Sequence, residues 1–309
     1  MRIGILSFKP LPKRFSCQED RLAAEAEKRG HTASIIRVQK CVMTLDEKGK
    51  LDVRVRNKAF PKFDVLIPRV GIGENVQVRS AILEQLQLMG YPMINSYSSI
   101  LRAKSKLHTL QALSHYKIPV VKTAVVHDIK LLDQALNYIG TYPVVMKTIY
   151  GSFGNGVTIV ESKRAAKSTY GIISEKFASK NGILLQEYIG ESMGKDIRIF
   201  VVGGKMVAAM ERVAHAEDFR SNVGQGGKGK AYTPSKEEIH LAVRATKVIG
   251  LDIAGVDIIQ TKNGPAIMEV NSNPGFKELE EVSGVNVAEA IIKYARRFVH
   301  EFVPPSDLV

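Results

Sequence analysis

The periodicity of apolar residues changes character along the chain, and that change limits the fold more than any other feature. Up to about residue 95, short apolar runs alternate with helical patterns. Strands are predicted over 2–7, 33–38, 63–68 and 91–95, and helices over roughly 17–29 and 76–89. The helices carry their own start and stop signals. Ser16-Cys17-Gln18-Glu19 is a capping box, with Ser at the N-cap and Glu three residues on. Gly30 and Gly90 stand where C-terminal stops belong. Strands separated by helices are joined by crossovers, which gives parallel βαβ units and a twisted sheet covered on both faces. The first strand-to-helix turn holds no Gly-x-Gly-x-x-Gly, so a dinucleotide site is disfavoured.

The polar cluster Asn95-Ser96-Tyr97-Ser98-Ser99 marks a boundary. An α+β unit follows: helix 100–116, strand 120–126, helix 131–139, strands 143–148 and 156–160, helix 164–178 and strand 183–188. After Gly190 the pattern turns antiparallel. Strands 196–202 and 205–211 are joined by Gly203-Gly204, a two-residue hairpin turn. A Gly-rich loop over 214–234 leads to helix 236–249, a second hairpin over 254–271 and a terminal helix over 287–298. The expected units are 1–95, 96–189 and 190–309.

Composition removes whole classes. With 45% hydrophobic and 24% charged residues, the chain is neither disordered nor fibrous. No apolar run approaches the roughly 18 residues of a membrane helix, and residues 1–8 enter a strand pattern rather than a signal peptide. Cys17 and Cys41 are too few for a disulfide framework or a four-cysteine zinc site, which points to a cytoplasmic, reducing setting without a membrane. The 44 Lys and Arg against 31 Asp and Glu leave a formal charge of +13. That favours polyanionic partners: nucleic acid, ribosome, nucleotide phosphates or an acidic peptide. It does not choose among them, because surface lysine also serves solubility, and no aromatic-interleaved basic motif accompanies it.

Several residues carry chemistry. In GVDIIQTKNGPAIMEVN, a three-residue turn Lys262-Asn263-Gly264 would pair Thr261 with Pro265, and the register that follows places Asp257 opposite Glu269. Asn271 lies two residues on, on the same face. Facing carboxylates are destabilising unless a cation sits between them, and two carboxylates with an amide oxygen are hard ligands suited to Mg²⁺ shared with phosphates. An exposed acidic pair is the plainer alternative. Lys147 closes an apolar strand before Gly151-Ser152-Phe153-Gly154-Asn155-Gly156, a glycine loop able to bring backbone N–H groups against phosphate oxygens. It joins strand to strand and so is not a Walker A loop. Burying the Lys147 ammonium calls for an anionic partner. In LLQEYI, an apolar strand ends in Glu187-Tyr188, which would offer acceptors to an adenine amino group and a ribose, or would be an ordinary strand end. Asp196 and Arg198 share one strand face, Arg212 follows on the next strand, and Arg220-Ser221-Asn222 opens the Gly-rich loop. Arginines converging on a nucleotide cleft neutralise charge during phosphoryl transfer; surface ion pairing is the alternative. No nucleophile motif of the Gly-x-Ser-x-Gly or Cys–His kind is present.

Together VVMK…GSFGNGV, LLQEYI, KDIRIFVVGGKMVAAMER, DFRSN and AGVDII…IMEVNSNPG resemble the ATP-grasp superfamily, specifically its RimK-like α-L-glutamate ligases. The resemblance spans nearly the whole chain. It implies the ATP-grasp fold, α/β and α+β, with an N-terminal doubly wound pre-ATP-grasp domain and two subdomains clasping ATP. By the same resemblance Lys104 and Lys147 contact ATP phosphates, and Glu187 and Tyr188 hold adenine and ribose. Asp196, Arg220, Ser221 and Asn222 complete the nucleotide and substrate site. Asp257, Glu269 and Asn271 ligate Mg²⁺, with Mn²⁺ an alternative and two ions accommodated, and Arg198 and Arg212 face the transferred phosphate or the acylated substrate. The implied reaction is ATP-dependent amide formation through an acyl phosphate, adding L-glutamate to the acidic C-terminus of a peptide or a small-subunit ribosomal protein, or building poly-α-glutamate. A homo-oligomer is compatible with the resemblance. Asn271-Ser272-Asn273-Pro274-Gly275-Phe276-Lys277-Glu278 departs from the family's Asn-Ala-Ser-Pro-Gly-Leu-Glu-Gly, which leaves the acceptor open. A cofactor glutamyl group or an amino-group carrier protein remains an alternative acceptor, and a non-catalytic ribosome- or RNA-binding protein is the alternative from another class.

Overall fold

The computed structural model describes residues 1–9, 17–70, 76–149, 156–173, 182–214 and 228–302. The N-terminal part contains β1 (Arg2–Ser7), α1 (Cys17–Lys28), β2 (Thr32–Arg37), β3 (Cys41–Leu45), β4 (Leu51–Val55), β5 (Lys58–Ala59), β6 (Val65–Arg69) and α2 (Val76–Leu88). β1 lies between β2 and β6, parallel to both. It is buried from Ile3 to Ser7, as a central parallel strand covered on both faces must be. α1 stops as expected: Gly30 takes φ +73°, and the His31 N–H donates to the Ala26 carbonyl at 3.0 Å. Ser16 lies outside the described residues. The predicted strand over 91–95 reduces to a single parallel bridge, Leu66 to Met93. A separate antiparallel sheet, β3-β4-β5, stands where no strand is predicted. Val42, Met43 and Leu45 on β3 are all exposed, so both faces of the strand meet water and no hydrophobic alternation marks it.

The middle unit comprises α3 (Tyr97–Lys104), α4 (Lys106–His115), β7 (Thr123–Val126), α5 (Leu132–Ile139), β8 (Val144–Thr148), β9 (Val157–Val160), α6 (Lys163–Ile173) and β10 (Ile183–Glu187). The single helix predicted over 100–116 is two helices. Ser105 is extended, with ψ 110°, and its hydroxyl accepts from the His108 N–H at 3.2 Å, so it ends one helix and caps the next. Lys104 is thereby left buried at the end of α3. The sheet order is β7-β10-β8-β9, antiparallel throughout. Of the predicted strand 120–126, the first part makes only an isolated bridge from Val120 to Ile267.

The C-terminal part holds β11 (Lys195–Val202), β12 (Lys205–Val213), β13 (Lys228–Ala231), α7 (Lys236–Ile249), β14 (Ile253–Thr261), β15 (Gly264–Asn271), α8 (Lys277–Ser283) and α9 (Val287–Glu301). The antiparallel order is β13-β12-β11-β14-β15. Gly203 and Gly204 take φ +55° and +73°, as a two-residue turn matching the strand twist requires. β13 lies inside the segment predicted as a continuous loop over 214–234, and α8 is a further helix beyond those predicted.

One face of this sheet has two characters. Phe200, Val202, Ala208, Met210 and Ile253 share a buried cluster with Ile3, Ile5, Leu22, Phe276, Ile291 and Ile292, so that end supports the N-terminal domain, α8 and α9. The other end of the same face carries Asp196, Arg198, Arg212 and Asp257. The opposite face, with Ile197, Ile199, Val256 and Ile258, packs with Leu241, Ala245 and Ile249 of α7. The apolar end thus anchors a rigid sheet beneath the polar one. Gly255 sits between the two ends, where an added Cβ would lie 2.7 Å from Cβ of Pro274. Gly255→Ala is expected to lower stability by about 1–3 kcal/mol through overpacking, read as a lower melting temperature.

Candidate active site

Register builds the polar end of the sheet. Asp196 faces Arg212 across β11 and β12, Arg198 faces Asp257 across β11 and β14, and Asp257 faces Glu269 across β14 and β15. Arg198 binds Asp257 with two parallel bonds, Nε to Oδ1 and Nη2 to Oδ2, each 2.7 Å. Arg212 joins the two acids, with Nη2 2.9 Å from Asp257 Oδ2 and Nε donating to Asp196 Oδ1 at 2.7 Å. Asp196, Arg212 and Asp257 are buried, where an unpaired charge costs several kcal/mol. Two carboxylates and two guanidiniums offset one another. Burial pushes the Asp257 carboxyl up, but Arg198 and Arg212 override it and hold it below the usual carboxylate range. Burial likewise works against the Arg212 charge, and Asp257 and Asp196 more than restore it.

The Asp257–Glu269 opposition forms by a different route from the one predicted. Thr261 pairs with Gly264, not Pro265, because the turn contains only Lys262 and Asn263. That register alone would put Met268 opposite Asp257. The ladder then shifts by one between Asp257 and Ile258, so Ile258 faces Ile267 while Asp257 faces Glu269. A bulge that re-aims a side chain beside a site is a recurring device.

Two lysines approach from the middle unit. Lys147 on β8 donates to Gln186 Oε1 at 2.6 Å, and Gln186 passes a bond to Thr123 Oγ1 at 2.9 Å. The hydrogen-bonded partner of Lys147 is therefore a neutral amide. Burial lowers its ammonium pKa to about 8, opposed chiefly by Glu269 and then by Asp196 and Asp257, with Lys106 adding to the lowering. Lys104 donates to the Val70 carbonyl at 3.2 Å, and burial brings it also to about 8, again opposed by Glu269. Two under-compensated ammoniums near carboxylates are a setting prepared for more negative charge. Glu187 ends β10 and Tyr188 follows it, both half-buried, and the Glu187 N–H donates to the Lys122 carbonyl at 3.0 Å. Arg220, Ser221 and Asn222 lie outside the described residues, as do residues 151–155 of the glycine loop.

Other contributors were invisible to the motif reading. Gln186 sits in LLQEYI as the one polar residue in a buried run, a signal that could have singled it out. Asn273 Nδ2 donates to the same Val70 carbonyl at 3.0 Å, and buried Arg69 donates to Pro274 O at 2.9 Å and to Gln18 Oε1 at 2.6 Å. These bonds tie the end of the N-terminal sheet to the segment after β15, across about 200 residues of sequence.

Among the described residues, no three or more His, Cys, Asp or Glu side chains group to hold a metal. Asp257, Glu269 and Asn271 form a partial oxygen set. Asn271 Oδ1 accepts from the Asn273 N–H at 2.9 Å, and Glu269 is half-buried beside Asp257. The donor chemistry fits Mg²⁺ drawing its remaining ligands from phosphate and water. Arg198 and Arg212 already answer part of the like-charge argument for a cation, since they neutralise Asp257 without one.

The RimK-like ATP-grasp domain model matches residues 103–295, and the RimK PreATP-grasp domain model matches residues 1–100. A probable alpha-L-glutamate ligase 1 of Shewanella frigidimarina is 39% identical over 279 residues, covering 90% of this chain and 91% of that protein. A probable alpha-L-glutamate ligase of a Marinomonas species is 39% identical over 297 residues, 96% of each chain. The ATP-grasp ligase PsnB, solved with a phosphomimetic variant of its minimal precursor, Mg and ADP, superposes with a TM-score of 0.71 at 18% identity, covering 96% of this chain and 98% of that one. The last likeness speaks for the fold. No helix among the described residues is long and apolar enough to cross a membrane. With an ATP-grasp fold, a pre-ATP-grasp domain before it and a buried Asp–Arg network facing two depressed lysines, the chain belongs to the RimK-like ATP-grasp family and is an ATP-dependent ligase.

Proposed function

We propose that this ligase activates a peptide C-terminal carboxylate with ATP and Mg²⁺ and joins it to the amine of L-glutamate. The observation that carries the reading is the pair of buried lysines, Lys104 at the end of α3 and Lys147 on β8, each lowered to about 8 by burial and each opposed first by Glu269. A carboxylate is a poor electrophile. Transfer of the γ-phosphoryl group makes it an acyl phosphate; the amine attacks the acyl carbon, and phosphate leaves. In this reading Lys104 and Lys147 bind phosphate oxygens, and Glu187 and Tyr188 hold the nucleoside. Asp257, Glu269 and Asn271 would hold Mg²⁺, or Mn²⁺, which would offset phosphate charge. Arg198 and Arg212 keep Asp257 ionised and fixed, and Asp196 holds Arg212 in place. Arg220, Ser221 and Asn222 are assigned to the same site. The glutamate assignment is supported by the names of the relatives and by the +13 charge, which suits an acidic acceptor such as a ribosomal protein tail. The test is ADP release with each of the twenty amino acids in turn, followed by mass spectrometry of an acidic acceptor peptide. Glutamate-sized increments support the reading; a preference for lysine, alanine or glycine overturns it.

The lysines make a pH prediction. Phosphate binds their protonated forms, so ATP binding takes up protons wherever free Lys104 and Lys147 are deprotonated. Affinity is expected to hold steady below pH 7 and to weaken as pH rises through about 8. Lys147→Met should remove part of this dependence and weaken ATP binding by about tenfold or more. Its melting temperature without nucleotide should fall only slightly, since Met suits the apolar strand while Gln186 Oε1 loses its donor. Calorimetric titration across pH checks both; a flat profile for the unmodified protein means that neither lysine meets phosphate.

A further inference from the structure

A second site lies away from the ligase site, where α1 packs along α9. It encloses about 290 Å³ and is lined by Lys28, Arg29, His31, Ile292, Lys293 and Arg296. Five of those six side chains are basic, and folding alone brings them together. Leu22 and Ala26 of α1 share a buried cluster with Ile291, Ile292 and Ala295 of α9, which sets the C-terminal end of α1 and the turn residue His31 beside α9. Two of the cations are already engaged. Arg29 Nε lies 2.8 Å from Glu25 Oε1, its Nη2 pairs with Glu289, and Lys293 Nζ lies 2.7 Å from Glu289. Lys28 and Arg296 are exposed and have no ion-pair partner among the described residues. His31 bears the consequence: burial, then the N-terminal ammonium, Arg296 and Arg29 hold its pKa below the ordinary value. Concentrated positive charge around a concave volume is an anion site in want of its anion.

We propose that this cleft docks the acidic segment of the acceptor polypeptide, upstream of the C-terminus being extended, with its carboxylates held by Lys28, Arg296 and His31. The assignment rests on the acidic-acceptor reading above. A peptide is favoured over nucleic acid because no Phe, Tyr or Trp ring lines the cleft, which leaves a base only the small planes of His31 and the guanidiniums. Position also fits. Gln18, near the start of α1, is bonded to Arg69, which reaches Pro274 just beyond β15. From Gln18 to Lys28 the helix rises about 15 Å, a span an extended peptide covers with about five residues. That span is a lower bound on the separation, so a dipeptide at the ligase site does not touch the cleft, and an acceptor that occupies both must be longer than about five residues.

The test uses the full chain and two double variants, Lys28→Glu/Arg296→Glu and Lys28→Gln/Arg296→Gln, with melting curves confirming the fold. Binding of C-terminally amidated hexaglutamate, which cannot be extended, is measured by fluorescence anisotropy. The charge reversal should weaken it about tenfold and the neutral pair less. In the unmodified protein, the His31 imidazole pKa followed by NMR should rise when the peptide binds. With free-acid acceptors, KM for hexaglutamate should rise about tenfold in the reversed variant, while kcat and the KM for diglutamate stay unchanged. Equal affinity of all three proteins for the amidated peptide overturns the proposal. So does an equal KM rise for both acceptors, or an RNA oligonucleotide that outcompetes the peptide at these residues. If no peptide is extended by any amino acid, the ligase reading fails on its own, and the anisotropy arm still decides the cleft.

Discussion

Asp257→Asn is expected to melt roughly 10 °C below the unmodified protein. The substitution keeps the shape and removes one charge from a buried network in which Arg198 holds both carboxylate oxygens and Arg212 holds one. Asn presents an NH₂ group to a guanidinium that needs an acceptor. Breaking a buried pair from one side costs about 3–5 kcal/mol, and a domain-sized protein loses about 2–4 °C for each of those. The pH dependence carries a sign. The folded pKa of Asp257 is depressed from its ordinary 3.8, so the stabilisation is present above that value and is lost as pH falls through the still lower folded pKa. The stability gap between the two proteins should thus stay constant from neutral pH to about 5 and close only below about 4. Denaturant melts at several pH values measure it. A gap that closes near neutrality would mean the guanidiniums do not hold the carboxylate ionised.

Glu269→Gln should do the reverse, sparing the fold and stopping the reaction. Glu269 is half-buried, and the two lysines it supports can answer its loss by giving up their protons. It is the leading electrostatic support of both Lys104 and Lys147 and, as proposed, a ligand of Mg²⁺. Losing one such group costs on the order of 10²–10³ in rate. The two lysine pKa values should also fall further below 8, moving the pH at which ATP affinity declines to lower values. Single-turnover ADP release with scanning calorimetry separates these effects. Full activity at saturating Mg²⁺ would remove Glu269 from the site.

Local signals read well where one segment contains its own answer. α7 runs over the predicted residues because Ser235 and Glu238 form a reciprocal capping box and Gly250 ends the helix in the left-handed region. Gly203-Gly204 likewise states its own turn. The ladder pairing Asp257 with Glu269 was legible as an outcome, although a shorter turn and a bulge produce it. Where the local signal was faint or competed with another, the outcome escaped. Ser105 divides a continuous helical pattern because its hydroxyl caps the second half. β3 meets water on both faces and shows no alternation.

The sequence by itself determined which chemistry was available: hard oxygen ligands on one hairpin, a lysine at the end of an apolar strand, arginines on alternating positions and a large excess of positive charge. A side chain's type and its strand parity are local properties, so they can be read in one dimension. Only the tertiary structure decided how those groups divide their charge. β11 lies between β12 and β14, an order that two separate hairpins do not state, and it is this neighbour relation that sets Arg198 against Asp257. The same holds for Lys28 and Arg296, which meet at one cleft because α1 and α9 bury a common apolar surface. Coulomb energy depends on distance and burial, and neither exists until distant segments pack.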